Sequence, residues 1–158
     1  MNLHFDYILT HEGLENAWGS KLPRASDKGY PGIYDKACYW VLYEEKLPIA
    51  YTSALRMSSD YAFVGNTYVR RGWRGKGLHT LLLEYRNNAP HMQNISKVTV
   101  INPIEDTQMQ NLVKVVTKLG YTKVNTAEDI QDLMPNWLYE SIVLEGQQIW
   151  RNDIKSDR

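Results

Sequence analysis

Cysteine, net charge and long apolar runs are all scarce in this sequence. Its one cysteine, Cys38, excludes an intrachain disulfide and suits a reducing compartment. Its 18 Lys and Arg residues equal its 18 Asp and Glu residues, so the chain as a whole has no charge to attract nucleic acid or an anionic membrane. No stretch is long and apolar enough to cross a membrane, and the first residues lack the pattern of a signal peptide. We therefore expect a cytoplasmic protein without a membrane partner.

The chain does contain enough apolar sequence for one compact domain. With 158 residues and 43% hydrophobic composition, it can bury a substantial core. No repeat, low-complexity segment or linker divides it, so we predict one domain over residues 1–146 and a polar C-terminal tail over residues 147–158. Cys38 lies in a run of aromatic residues, where a core side chain is a better interpretation than a catalytic thiol.

The spacing of apolar residues predicts the order of helices and strands. Helices are predicted from His11, from Leu78 and from Thr107, where Thr107 and Gln110 form a capping box and Gly120 ends the helix. Strands are predicted at residues 3–9, 37–44, 49–56, 61–69, 97–101, 121–125 and 138–145. This order predicts an α+β protein, layered α/β/α, with a mixed, mostly antiparallel sheet of about 6–7 strands and helices on both faces.

A segment rich in glycine and cations joins the strand at 61–69 to the following helix. It contains three glycines and four cations, and the helix after it carries an apolar stripe of Leu78, Leu81, Leu82 and Tyr85. Glycine allows close approach of a ligand to the backbone, and a helix N-terminus presents N–H groups and partial positive charge. These features predict a binding site for phosphate oxygens. The Walker pattern does not fit because Gly77 replaces its Ser or Thr, and the dinucleotide pattern does not fit because Thr80 replaces a glycine.

The run Val69-x-x-x-Trp73-Arg74-Gly75-x-Gly77-Leu78 after a strand resembles the acetyl-CoA loop of the GCN5-related N-acetyltransferase family. The order of elements and the pair Gly120-Tyr121 are similar to that family as well, so the resemblance covers roughly residues 3–145. It implies that main-chain amides of the loop bind the pyrophosphate of acetyl-CoA, with no metal. His79 stands where the family usually has Gly or Ala. The implied cofactor-binding residues are Val69, Arg74, Gly75, Lys76, Gly77, Leu78 and His79.

The resemblance also implies a mechanism in which an amine attacks the acetyl-CoA thioester directly. The main-chain N–H of Val69 would stabilise the oxyanion. The tyrosine acid of many relatives is replaced by Val116, and the glutamate base of some relatives is replaced by Phe63. We therefore do not transfer those two roles. The remaining candidates for catalysis are Tyr68, Asn102 at the end of one strand, and Tyr139 at the head of the last strand, each of which also has an ordinary packing or capping interpretation.

The acceptor is expected to be a primary amine on a small molecule or a protein. The carboxylates of Glu128, Asp129 and Asp132 could attract a cationic amine such as a polyamine, an aminoglycoside or lysine, although a solvated acidic loop is the commoner meaning of such a cluster. Aromatic residues that could wall the acceptor cleft are Trp18, Tyr30, Tyr34 and Trp137. A homodimer is one of the assembly states that the sequence leaves open.

Three alternative functions compete with acetyl transfer. Phe63 and Val116 favour a non-catalytic module that binds coenzyme A. The cations beside Trp73 suggest a nucleic-acid-binding module, which the zero net charge disfavours. Another acyl chemistry, such as acyl-homoserine lactone synthesis or aminoacyl transfer, could use the same fold. The sequence does not identify the acceptor.

Overall fold

The computed structural model describes residues 2–23, 37–102 and 106–153. The helices in these ranges are α1 His11–Trp18, α2 Leu78–Asn87, α3 Asp106–Lys118 and α4 Asn136–Leu144. The strands are β1 Leu3–Ile8, β2 Cys38–Glu44, β3 Leu47–Arg56, β4 Tyr61–Val69, β5 Ser96–Ile101, β6 Thr122–Val124 and β7 Gln148–Asn152. No helix in the described residues is long and apolar enough to span a membrane.

The strands form one seven-stranded sheet in the order β1-β2-β3-β4-β5-β7-β6. The pairs β1/β2, β2/β3, β5/β7 and β6/β7 are antiparallel. On β3, Tyr51 contacts Trp18 of α1, while its neighbour Thr52 accepts a hydrogen bond from Arg86 of α2. Successive side chains of a strand point to opposite faces, so α1 and α2 cover opposite faces of the sheet. The predicted α+β class and mostly antiparallel sheet are confirmed.

The C-terminal part of the chain differs from the sequence prediction. The strand predicted at 138–145 is wrong, because residues 136–144 form helix α4. Leu138 and Ile142 are buried at a spacing of four, which is the spacing of one helix face. The predicted polar tail is also wrong for residues 148–152, which form β7 between β5 and β6. Only Ile149 and Trp150 of this strand are buried. The polar residues on either side of this pair explain why the segment was predicted to be a polar tail.

Smaller corrections concern the ends of the helices. Gly19 ends α1 as a left-handed cap with φ 78°. Helix α3 begins at Asp106, and the capping box predicted for Thr107 and Gln110 depends on the Thr107 side chain, which lies outside the side chains that the structure describes. Gly120, with φ 96°, follows α3 as predicted, and the Tyr121 N–H donates to the Val116 carbonyl (2.9 Å).

The predicted apolar stripe of α2 is rotated in the structure. Leu78 and Leu82 are buried as expected, but Arg86 replaces Tyr85 on the buried side and is only 2% exposed. Leu81 and Tyr85 are 38% and 46% exposed. The helix therefore faces the sheet with a stripe that includes a cation and leaves two large apolar side chains in contact with solvent.

The described residues group into two compact units. The first unit is Met1–Arg56 with Val64–Met92, and the second unit is Met57–Phe63 with Gln93–Arg158. Both statements concern the described residues within these ranges. The first unit includes the glycine-rich loop, and one of its core clusters consists of Leu42, Ile49, Ala50, Val69, Leu78 and Leu82. The extent of the domain over residues 1–146 stays a prediction.

Candidate functional site

The candidate site is built around the segment that joins β4 to α2. β4 ends at the buried Val69, residues 71–73 form a short 3-10 turn, and α2 begins at Leu78. Gly75 and Gly77 have φ values of 78° and 77°, a conformation that side chains rarely adopt. A Cβ atom built on either glycine would meet no heavy atom within 4 Å. The backbone here is therefore both exposed and shaped as only glycine readily allows.

The start of α2 makes this exposed backbone suitable for an anion. The first main-chain hydrogen bond of the helix runs from the Leu81 N–H to the Gly77 carbonyl (3.1 Å). The amides of Gly77 and Leu78 precede that bond and lie at the positive end of the helix dipole. Gly77 is the N-cap of the helix and supplies no side chain to cap it. An anion at this point would meet N–H groups without an intervening side chain.

The four cations of the loop divide into two kinds. The Arg70 Nε donates to the Pro48 carbonyl (2.6 Å), and its Cζ lies 4.3 Å from the ring centroid of Trp18. The Arg74 Nε donates to the Val69 carbonyl (2.8 Å). Arg71 and Lys76 are exposed. Arg70 and Arg74 therefore fix the path of the loop, and Arg74, which is exposed as well, presents charge to solvent together with Arg71 and Lys76.

An aromatic layer supports the loop from the α1 side of the sheet. The ring of Trp18 makes edge contacts with Tyr51 and Tyr68, at centroid distances of 5.1 Å and 6.0 Å. The Arg74 Cζ lies 5.3 Å from the centroid of Tyr68. Trp18 is only 4% exposed, so it acts as a packing residue; the prediction that it walls an acceptor cleft is not supported by its burial. Tyr68, the candidate catalytic residue, lies directly beside the loop.

On the other face of the sheet, Trp73 packs against the core cluster that contains Val69 and Leu78. A side chain in this position holds the 3-10 turn against the protein and has part of its ring surface buried. Trp73 is therefore committed in part to packing, and Arg70 is bonded to the Pro48 carbonyl of β3, which leaves less of this segment for stacking on and neutralising a nucleic acid.

Strand β4 is irregular just before the loop. Asn66 has φ 51°, in the left-handed region that Asn tolerates better than most residues. The preceding carbonyl, of Gly65, accepts hydrogen bonds from the hydroxyls of Ser53 (2.8 Å) and Thr52 (3.4 Å). Side chains of β3 therefore stabilise the irregular point. A Gly-Asn pair inside a strand pattern is a signal for such a distortion, and the sequence analysis did not use it.

A buried arginine completes this polar network. The Arg86 Nη1 donates to the Thr52 hydroxyl (2.9 Å), which is 2.7 Å from the Thr67 hydroxyl of β4. The Arg86 Nε donates to the Asn87 side-chain oxygen (3.0 Å). Because buried polar groups need such partners, the network favours one arrangement of α2, β3 and β4. The sequence contains one signal for this buried arginine: Arg86 lies eight residues after Leu78, on the same side of the helix as the buried leucines.

The other two candidate catalytic residues belong to the second unit. Tyr139 lies on α4, not at the head of a strand, and its hydroxyl donates to the Asn125 carbonyl (3.3 Å). Asn102 follows β5, and its side-chain oxygen accepts a hydrogen bond from Gln147. Each side chain has a structural partner, and their catalytic roles stay predictions.

The two positions where relatives carry an acid or a base are apolar in structure as well as in sequence. Phe63 makes an edge contact with Tyr61, at a centroid distance of 5.7 Å. Val116 is 6% exposed in α3. Neither position offers a group that could transfer a proton.

The acidic cluster has structural partners. Asp129 accepts hydrogen bonds from the N–H groups of Asn125 and Thr126 (2.9 and 3.1 Å), and these bonds lower the pKa of its carboxyl group. The Arg151 guanidinium donates to both oxygens of Asp132 (2.8 and 2.9 Å), and this pairing lowers the pKa of Asp132. Two of the three carboxylates predicted to attract an amine thus already have partners, and the third, Glu128, is exposed.

We expect Asp132→Asn to lower the free energy of unfolding at pH 7 by no more than about 1 kcal/mol, because the Asp132 side chain is 61% exposed. A lowered folded-state pKa gives stability that is present above the ordinary carboxyl pKa and is lost as the pH falls through the lowered value. Urea unfolding at several pH values should therefore show a difference between the two proteins at pH 7 that shrinks in acid. Glu128→Gln, which removes an exposed carboxylate from the same segment, is the control.

The remaining predicted residues are less informative. Trp137 is 69% exposed, and Tyr30 and Tyr34 lie outside the described residues. Among the residues that the structure covers, no group of three or more His, Cys, Asp or Glu side chains is placed to hold a metal ion.

The arrangement of strands and helices is the GCN5-related N-acetyltransferase fold, as comparison with solved structures shows. An IAA acetyltransferase from Bacillus cereus matches with a TM-score of 0.64 and 11% identity, over 95% of this chain and 98% of that chain. An acyl-CoA N-acyltransferase from Pseudomonas aeruginosa matches with a TM-score of 0.60 and 14% identity, over 95% of this chain and 99% of that chain.

A third solved structure is N-acetylglutamate synthase from Neisseria gonorrhoeae, in complex with coenzyme A and N-acetylglutamate. It matches with a TM-score of 0.57 and 11% identity, over 96% of this chain and 35% of that longer chain. No model of a known family matches the sequence, and neither does any curated protein. The similarity is therefore one of fold, and the predicted resemblance is confirmed at that level.

Proposed function

We propose that this protein is an N-acetyltransferase that moves the acetyl group of acetyl-CoA to a primary amine. The observation that carries the proposal is the pair of left-handed glycines, Gly75 and Gly77, open to solvent at the N-terminus of α2. In an acetyltransferase fold, this is a suitable site for the pyrophosphate of acetyl-CoA. The amides of residues 75–79 would bind the phosphate oxygens, while Arg74, Lys76 and Arg71 would add positive charge.

In the proposed reaction, the amine nitrogen attacks the thioester carbonyl carbon, and the main-chain N–H of Val69 donates to the oxyanion that forms. The C–S bond then breaks, the thiolate of coenzyme A leaves, and the amine loses a proton. Alignment of the two bound substrates can supply ~7–11 kcal/mol of the rate enhancement. This matters here because Phe63 and Val116 provide neither a base nor an acid.

The proton transfers would then use water or one of the three polar candidates. Tyr68 is the candidate beside the loop, through its contact with Arg74. Tyr139 and Asn102 would have to exchange their partners Asn125 and Gln147 for the substrate. The cytoplasm is the proposed compartment, as the single thiol suggests, and the acceptor amine is left open.

The test is amine-dependent release of the coenzyme A thiol. Acetyl-CoA would be incubated with the protein and with spermidine, lysine or an aminoglycoside, and the free thiol would be measured against an amine-free control. We expect release above hydrolysis with at least one amine, together with an acetylated product of the expected mass.

A second function has a specific observation in its favour. The apolar side chains at positions 63 and 116 suit a module that binds coenzyme A without catalysis. Binding of acetyl-CoA without thiol release, over a broad range of amines, would support this module and contradict the transferase.

A further inference from the structure

The first unit has a cavity on its α2 side, away from the glycine-rich loop. A cavity of about 530 Å3 opens between β1, β2 and the C-terminal half of α2, and none of its lining residues belongs to the loop at 69–79. This volume is within the range of small-molecule sites. Leu81 and Tyr85 line it, which are the two residues of the predicted apolar stripe that the structure leaves exposed.

Aromatic rings make up half of the residues that line the cavity. Phe5 of β1 stacks on Tyr85 of α2, with ring centroids 3.7 Å apart and planes 9° from parallel. Tyr7 packs against the buried Trp40 (5.2 Å), and Trp40 stacks on His91 (5.6 Å, 10°). Tyr7 and Tyr85 are 48% and 46% exposed, so ring surface from both groups is available to a ligand.

The charge of the cavity comes from one carboxylate. Glu84 is the lining residue with a formal charge, and it is exposed. Burial and the charge of Arg56 lower the pKa of His91, so its imidazole is neutral at pH 7. Arg56 does not line the cavity. Burial also raises the pKa of the Tyr7 phenol, which therefore stays neutral.

We propose that this cavity binds an organic cation with an apolar body, such as a substituted ammonium compound, with the charged nitrogen near Glu84 and the faces of Tyr7 and Tyr85. Aromatic faces attract cations through their quadrupoles, and a single carboxylate adds direct attraction. The volume leaves room for an apolar group against Leu81 and Phe5. The site is separate from the acetyl-transfer site in its residues and does not depend on that function.

The experiment uses three probes of similar shape and different charge: benzyltrimethylammonium, benzyl alcohol and phenylacetate. Their affinities for the full chain would be measured by saturation-transfer NMR titration. Benzyltrimethylammonium has no N–H bond and cannot be acetylated, so its binding does not report on an acceptor amine. We expect the cation to bind at least about fivefold more tightly than the alcohol, and phenylacetate to bind most weakly.

Two variants locate the site. Glu84→Gln and Tyr85→Leu should each weaken binding of the cation about fivefold, while Glu140→Gln, an exposed glutamate on α4, should leave it unchanged. Gly77→Glu should also leave it unchanged, even though it blocks acetyl-CoA, so failure of one proposal is distinguishable from failure of the other. Equal affinity for the three probes, no binding at about 20 mM, or binding insensitive to both cavity variants would overturn the proposal.

Discussion

Gly77→Glu is expected to reduce the affinity for acetyl-CoA at least about 100-fold, which corresponds to about 2.7 kcal/mol. The native backbone at Gly77 has φ 77°, and a Cβ there would project into open space above the loop. A carboxylate in that space would lie where the pyrophosphate is proposed to bind and would repel it. Calorimetric titration of the native and variant proteins measures the effect directly.

The matched control is Gly19→Glu. Gly19 has φ 78°, and a Cβ there also meets no heavy atom within 4 Å, so the two variants share the same backbone strain and added charge. The left-handed conformation costs about 1–2 kcal/mol for a residue other than glycine. Gly19→Glu should therefore lose similar stability and keep its affinity for acetyl-CoA. If both variants bind as the native chain does, Gly77 does not lie against the cofactor.

Trp18→Ala is expected to lower the free energy of unfolding by about 3–5 kcal/mol, the usual cost of removing a buried large aromatic side chain. The indole is 4% exposed and contacts Tyr51, Tyr68 and Arg70. Its removal would leave a cavity under the aromatic layer and release Arg70 from its cation–aromatic contact. Denaturant unfolding, with the m-value checked for change, measures this loss.

The same substitution at an exposed tryptophan provides the comparison. Trp137 is 69% exposed on α4, so Trp137→Ala should change stability by less than about 1 kcal/mol. Equal losses at the two positions would contradict the burial of Trp18. A folded Trp18→Ala protein should also bind acetyl-CoA more weakly, because Arg70 N–H and Nε hold the start of the loop to β3.

Local patterns predicted the loop and the strands around it well. The strand at 61–69, the helix from Leu78 and the glycine cap at Gly120 all agree with the structure. These features depend on residues close together in sequence: glycines in special conformations, and apolar residues at strand or helix spacing. The candidate loop could be recognised for the same reason, since its proposed function would depend on consecutive main-chain groups.

Features that depend on tertiary contacts were not predictable in this way. The run at 138–145 was predicted as a strand, but packing of Leu138 and Ile142 at helical spacing selected α4. β7 contains only two buried residues and owes its place to pairing with β5 and β6 on both sides. Single-sequence patterns do not contain that pairing information.

The polar network at Arg86 is a further case. A cation on the apolar side of α2 conflicts with the helical pattern, and the partner that the sequence does not reveal is the Thr52 hydroxyl of β3, which in turn contacts the Thr67 hydroxyl of β4. Likewise, the acidic cluster at 128–132 could be interpreted as an acceptor site until Arg151 of the supposed tail was found paired with Asp132. In each case, the missing information was a partner distant in sequence.

Binding of the acetyl-CoA pyrophosphate by main-chain amides of the loop can be tested by a two-dimensional 1H–15N NMR titration of the labelled chain with coenzyme A, with the 31P signals of the ligand followed in parallel. We expect the largest amide shifts at residues 74–79. We also expect the pyrophosphate resonances to shift or broaden with the same dissociation constant. Saturable binding with those amides unmoved, or no binding at all, would contradict this mode of binding.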